Sequence, residues 1–387
     1  MMERQQGSPE GPSDSTAAHP GARREAPAGT VRRLQRMGAV TVGVSLPRDW
    51  VSERDLVVGS PVGVRIGSGG AIVIRPVASE PTRIRGEIEV AHGAPPEHLF
   101  RELVGLYLRG VEQFVVTAPG GLDPETRATV RAFQRRTLHP QIVFEDRERM
   151  VLSDLVEGAS LALPVLLRRM FQVVVGMHED AERSWTAHGA LPAEPMETRD
   201  DEVDRYAWLV ERTLAVRLRD SVEVDRERGA LGAPLSAFLL SRCLERIADH
   251  AVLLADHGAR LREASIPASA TRAISTYHRQ AVDHLRSALS VAERPDPATA
   301  NEVLDAATAL EATHAALMER LVSGEPSRSL PTSAVAAVGF ILQSIDRTIA
   351  YARDIAQLGL SRDGGPVRMD ASFERSSSVI PRGATSR

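Results

Sequence analysis

The chain has 387 residues, 43% of them hydrophobic and 4% aromatic, with 47 Lys and Arg against 51 Asp and Glu for a formal charge of −4. That length predicts two or three domains, and the hydrophobic share is ample for packed cores. The scarcity of aromatics argues against single-stranded nucleic-acid binding by base stacking, and the single cysteine, Cys243, excludes an internal disulfide or a cysteine zinc cluster.

Residues 1–30 are rich in Gly, Pro, Ser and Ala, carry no apolar signal-peptide stretch, and read as a disordered tail. The longest apolar run, 334–342, is far too short to span a bilayer. A cytoplasmic protein without direct membrane insertion is expected, any membrane association going through a partner.

Residues 31–78 have a different texture. Val40, Val42, Val44 and Leu46 alternate with small or polar residues, which predicts a half-buried strand over 39–46. Pro47 suits the first turn of a short helix. Val62, Val64 and Ile66, then Ile72 and Ile74, alternate again around Ser68-Gly69-Gly70, the pattern of a tight hairpin. A segment this short cannot bury a full core of its own, which points to a partner subunit. It holds seven arginines against three acids, +4 in a chain that is acidic as a whole. Local basic fields attract phosphate backbones, and arginine offers forked, bidentate contacts.

The stretch VRRLQRMGAVTVGVSLPRDW with its following hairpin resembles the SpoVT/AbrB-type swapped-hairpin DNA-binding domain. The resemblance implies an interleaved homodimer touching DNA, with Arg32, Arg33, Arg36 and Arg48 as the contacting residues. A small dimerising module with a solvated basic edge remains the alternative.

Residues 82–150 read as a small β-α-β-α-β domain. Ile84, Ile88 and Val90 suggest a strand, and Leu99, Leu103, Leu106 and Tyr107 recur at helical spacing. A strand at 114–117, a helix over 124–136 with Asp123 as N-cap, and a strand at 141–145 complete it. It carries no nucleotide fingerprint and reads as a spacer.

From about 151 the chain becomes helical. Breakers at 189–195, 229–234, 265–267, 295–297 and 324–331 divide it into six helices, three in 151–264 and three in 268–360. Residues 361–387 read as a second disordered tail. Residues 244–256, LERIADHAVLLAD, match 345–357, IDRTIAYARDIAQ: Leu244 aligns with Ile345, Arg246 with Arg347 and His250 with Tyr351. A repeated antiparallel three-helix unit follows. The fold class is therefore multidomain and mainly α: a swapped-hairpin β domain, a small α/β domain and two three-helix bundles.

The LERIADH segment makes 151–360 resemble the PhoU family of phosphate-uptake regulators, and the whole chain is similar to an archaeal-type arrangement that joins an AbrB-like head to PhoU repeats. The resemblance implies a regulator of phosphate homeostasis working with a phosphate ABC transporter or an associated signalling protein. It also implies multinuclear sites for divalent or trivalent metals such as iron, zinc or magnesium. Spacing makes such sites reasonable. Glu245 and Asp249 are i and i+4, so they share a helical face beside a core stripe. Asp200 and Asp204 repeat that spacing on the preceding helix, and carboxylates from two helices of a bundle are a known cation site. A solvated salt-bridge face with neighbouring arginines is the plainer reading. In the second repeat Ala350 replaces the second aspartate, leaving Asp346 and Asp354, with Glu311 and His314 on the helix before. Symmetric clusters are not expected. His178-Glu179-Asp180 reads as a solvated helix face.

No HExxH, Walker, GxSxG or dinucleotide motif is present, so no enzymatic activity is expected. The leading expectation is a DNA-binding regulator of phosphate uptake. Two rivals stand beside it: an adaptor docking on a transporter ATPase or sensor kinase without touching DNA, and an antitoxin-like autorepressor.

Overall fold

The computed structural model describes residues 31–66, 72–77, 84–154, 163–186, 194–223, 232–264, 266–323 and 330–362. Both expected terminal tails, apart from the helical residues 361 and 362, and the Ser68-Gly69-Gly70 turn lie outside the described residues. The chain divides into two compact units. One gathers residues up to Gly63 with Arg75–Val77; the other holds Val64–Ile74 and all that follows Val77.

In the head, β1 (Gln35–Arg36) pairs antiparallel with β2 (Val42–Gly43), with Arg36 opposite Val42. Met37 N–H donates to Thr41 C=O at 2.9 Å to close the turn. The strand expected over 39–46 is thus cut to two residues. Among the described residues its apolar face is left uncovered: Val40 is 94% exposed and Val42 60%. Two strands alone do not form a stable sheet in water. α1 (Arg48–Ser52) follows, with Pro47 at its N-cap and no buried residue. β3 (Val62–Ile66) and β4 (Ile72–Pro76) pair in a two-stranded sheet, while the turn of the expected hairpin lies outside the described residues.

Beyond Val77 the larger unit holds a four-stranded sheet in the order β5-β6-β8-β7. β5 (Arg85–Glu89) is parallel to β6 (Gln113–Thr117) through the crossover helix α2 (Pro96–Leu108). α3 (Pro124–Arg136) leads to β7 (Pro140–Glu145), which turns back into β8 (Arg149–Asp154). Asp123 is the N-cap, its carboxylate accepting from Thr126 N–H at 2.7 Å. β8 crosses residue 150, where the helical region was expected to open. Met150, Val151 and Leu152 are all buried, and a short apolar run covered on both faces has no period to reveal its type. Leu103, Phe114, Phe133 and Leu152 fill the core between helices and sheet.

Six long helices follow: α4 (Leu163–Thr186), α5 (Met196–Glu223), α6 (Gly232–Glu263), α7 (Ala268–Glu293), α8 (Pro297–Met318) and α9 (Thr332–Arg362). A π-helical turn, Glu319–Ser323, extends α8. α6 is central, packed along both α4 and α9. A continuous core runs from Met170 and Val174 through Leu244, Ile247 and Leu254 to Ile341 and Ile345. Arg212 of α5, only 5% exposed, ties this region to the sheet. Its guanidinium donates to the carbonyls of Tyr107 and Val111 at 2.7 Å each and to Asp154 at 2.6 Å.

Candidate functional site

The acidic face lies where α5 meets α6. On α5, Val203, Ala207 and Val210 are buried; on α6, Leu244, Ile247, Ala248 and Ala251 are buried. Those stripes face each other, so residues one step off them stand along the seam. Asp200 and Asp204 of α5 and Glu245 and Asp249 of α6 occupy those flanking positions. The first three are half-buried, and Asp249 is at the exposed rim.

The four feel one another's charge. Burial pushes the Asp200 carboxyl up to about 7, helped by Asp204, Asp249 and Glu245 and opposed by Arg136. Asp204 is raised by burial and by Asp249, against Arg136 and Arg242. Glu245 is raised by burial and then by Asp249 and Asp204, with Arg242 pulling the other way. Asp249 is raised by burial, with Arg246 and Arg242 opposing. Two oxygens, Asp200 Oδ1 and Glu245 Oε2, are buried without a hydrogen-bond partner. Arg242 and Arg246 reach Glu245 only at 3.6 and 3.7 Å, and Arg136 is engaged by Asp201.

The donor chemistry fits a hard or borderline cation, and the two orphaned carboxylate oxygens are what such an ion would satisfy. The placement is looser than the chemistry. Among the described residues no three His, Cys, Asp or Glu side chains stand close enough together to hold one metal ion. A cation there would have to draw the carboxylates inward.

Other carboxylates of the helical region fall elsewhere. Asp256 is paired with Arg260 at 2.8 Å. In the second half Glu311 is held by Arg353 at 2.7 Å. The buried Tyr277 packs against His314, their ring centres 6.2 Å apart. The Tyr277 hydroxyl is raised by burial and then by Asp346 and Glu311. An aromatic pair therefore fills the space in front of the second set of acids.

His178 is not on a solvated face. It is fully buried, its Nδ1 is 3.1 Å from Nε2 of His278, and its Nε2 is 3.1 Å from the Ile247 carbonyl. Burial drives its pKa down to about 3. The partner stands 100 residues away, beyond any local pattern. Glu179 and Asp180 pair instead with Arg286, and with Arg183 and Arg199. Cys243 is a packed thiol, pushed up to about 11 by burial and by Asp354. In the head, Arg32, Arg33, Arg36 and Arg48 are all exposed, and among the described residues none has an ion-pair partner.

Residues 167–257 match the family model of the PhoU domain. That span takes in most of α4, all of α5 and α6 as far as His257, with all four carboxylates. Among solved structures the chain is similar to the crystal structure of PhoU from Pseudomonas aeruginosa, at 21% identity and a TM-score of 0.46, over 52% of this chain and 94% of that one. No curated protein matches the chain. Among the described residues no helix is long and apolar enough to cross a membrane.

Proposed function

We propose that the chain is a PhoU-like regulator of phosphate homeostasis that acts on DNA as a dimer. The PhoU-domain match over 167–257 supports the phosphate part of this reading. The observation that carries the DNA part is the surface of the head. Among the described residues, Arg32, Arg33, Arg36 and Arg48 lie open without acidic partners, and in the same unit Val40 is 94% exposed and Val58 fully exposed. Uncovered apolar surface of this extent marks an association site. A second copy is the fitting occupant, because alternating strands too short to form their own sheet can complete one by interleaving. Doubling the head doubles its positive charge, which suits a phosphate backbone. The acidic face on α5 and α6 is the place for a signal to enter as a metal ion. A bound divalent cation would supply positive charge to carboxylates that otherwise repel one another.

The test is fluorescence anisotropy of the full chain on its own upstream DNA across a salt series, beside the triple variant Arg32→Ala, Arg33→Ala, Arg36→Ala. Tight binding is expected, with a log–log salt slope that falls by about 1 for each phosphate contact removed. If neither protein binds at low salt, the head is a dimeriser, and docking on a transporter ATPase or sensor kinase becomes the better reading. The metal reading stands or falls separately. Added zinc or magnesium should raise the melting temperature of the wild type and leave the double variant Asp200→Asn, Asp249→Asn unmoved.

A further inference from the structure

At the end of the bundle where α6 hands over to α7, a cleft of about 600 Å³ opens between the two three-helix sets. α4 and α6 of the first set contribute Glu182, Trp185 and Arg262; α7 of the second contributes Arg272, Ser275 and Arg279. Three arginines thus line the cleft with one glutamate. Arg279 is partly satisfied by Glu182 at 3.4 Å. Arg262 and Arg272 are exposed and have no ion-pair partner among the described residues. The cleft also lies at the start of α7, whose first turn supplies Ala268 and Thr271 to the wall. A helix start adds partial positive charge.

The rest of the wall is built, not loose. Trp185 is 5% exposed, and its indole N–H donates to Ser275 Oγ at 3.1 Å. His278, 1% exposed, stacks edge-on against that indole and places Nδ1 3.8 Å from Glu182. The tautomers follow from the partners. His178 must donate from Nε2 to the Ile247 carbonyl, so its Nδ1 accepts from His278 Nε2–H. His278 Nδ1 is then left facing the Glu182 carboxylate, 3.8 Å away. Burial pushes the Glu182 carboxyl up, but His278, Arg279 and Ser275 outweigh it and hold the group below the ordinary range. Glu182 is therefore fixed as an anion by its own neighbours, and Arg262 and Arg272 remain for something else.

We infer that this cleft binds a phosphorylated small molecule of nucleotide size, its phosphate held by Arg262 and Arg272 at the start of α7 and its body lying toward Trp185. Arginine pairs match the oxygens of phosphate in a forked geometry. Ligand clefts run from about 300 to 1,000 Å³, so the volume suits an organic phosphate and is far larger than inorganic phosphate needs. Because the two arginines belong to different three-helix sets, the ligand would bridge them. The site shares no residue with the acidic face or the head, so its failure leaves the reading above untouched.

Isothermal titration calorimetry of the full chain with adenosine monophosphate, inorganic phosphate and citrate tests this. Adenosine monophosphate should bind, with the other two at least about tenfold weaker. The double variant Arg262→Ala, Arg272→Ala should weaken it by about a hundredfold, about tenfold per charge-assisted contact. Trp185→Phe serves as a second readout: affinity should persist while the ligand-induced change in tryptophan emission disappears. No binding at low salt, equal affinity in the double variant, citrate or inorganic phosphate binding as tightly as the nucleotide, or an emission change that survives Trp185→Phe would each overturn the proposal.

Discussion

The two three-helix sets share their packing and differ in their charge. Leu244 and Ile345, aligned by the internal repeat, are both fully buried. His250 and Tyr351, also aligned, meet each other with ring centres 6.0 Å apart, so the repeats pack through equivalent positions of α6 and α9. Gly258 and Gly359 extend the correspondence at the same offset. A Cβ on Gly258 would come within 2.7 Å of Trp185 of α4, and one on Gly359 within 2.6 Å of Val291 of α7. Each glycine lets the third helix of its set lie close to the first. The acids diverge: the first set keeps four mutually repelling carboxylates, while in the second an arginine neutralises Glu311 and Tyr277 with His314 takes the space. Packing fixes equivalent buried positions in both sets, whereas the four-carboxylate seam belongs to the first alone.

The largest expected break comes at a feature of the first set alone. Arg212→Met would leave the partly buried Asp154, one of whose oxygens already lacks a hydrogen bond, without its partner, and would strip two carbonyls of their donor. Losing one member of a buried ion pair costs about 3–5 kcal/mol. Urea unfolding of the full chain, followed through Trp208, which packs near Phe100, should show a loss of that size. A loss below about 1 kcal/mol would mean that Arg212 does not hold α5 to the sheet.

The glycines come next. Gly258→Ala and Gly359→Ala should each destabilise by about 1–3 kcal/mol through overpacking, although alanine is the better helix former by about 1 kcal/mol. Thermal melts by circular dichroism check both. Equal losses would establish the shared framework; a loss in one set only would mean that packing has diverged along with charge.

Much of this was legible in the sequence, and the failures have physical causes. Helix breaks and apolar spacing reveal the six helices because each buries one stripe over six or more turns. The i, i+4 acids reveal which side of each helix they occupy, but that Asp200 and Glu245 end beside one seam depends on how α5 and α6 cross. Arg212 reads like any surface arginine, since its partners lie about 60 and 100 residues earlier. The strand at 39–46 is a correct reading of alternation with too little around it to form, because alternation reports what a segment could bury, not whether a partner is there.

The smallest expected effect tests the charged seam itself. The Asp200 carboxyl sits at about 7 in the folded chain against an ordinary 3.8, so the folded state holds a proton that the unfolded chain gives up. The stability this contributes is complete below about pH 4 and is lost as pH rises through about 7. Asp200→Asn removes the ionisation, so it should be more stable than wild type at pH 8 by about 1 kcal/mol, after allowance for the solvent screening a half-exposed group. His178 works in the opposite sense: held at about 3 against 6.5, it takes stability away as pH falls below about 6.5. The variant should therefore show a shallower alkaline decline, what remains coming from the raised Asp204, Glu245 and Asp249, and keep the acid one in chemical-denaturation profiles from pH 4 to 9 without added metal. Destabilisation of the variant at pH 8 would instead mean that the Asp200 carboxylate is paired in solution. The α5–α6 seam would then be an ordinary salt-bridged surface with no call for a cation.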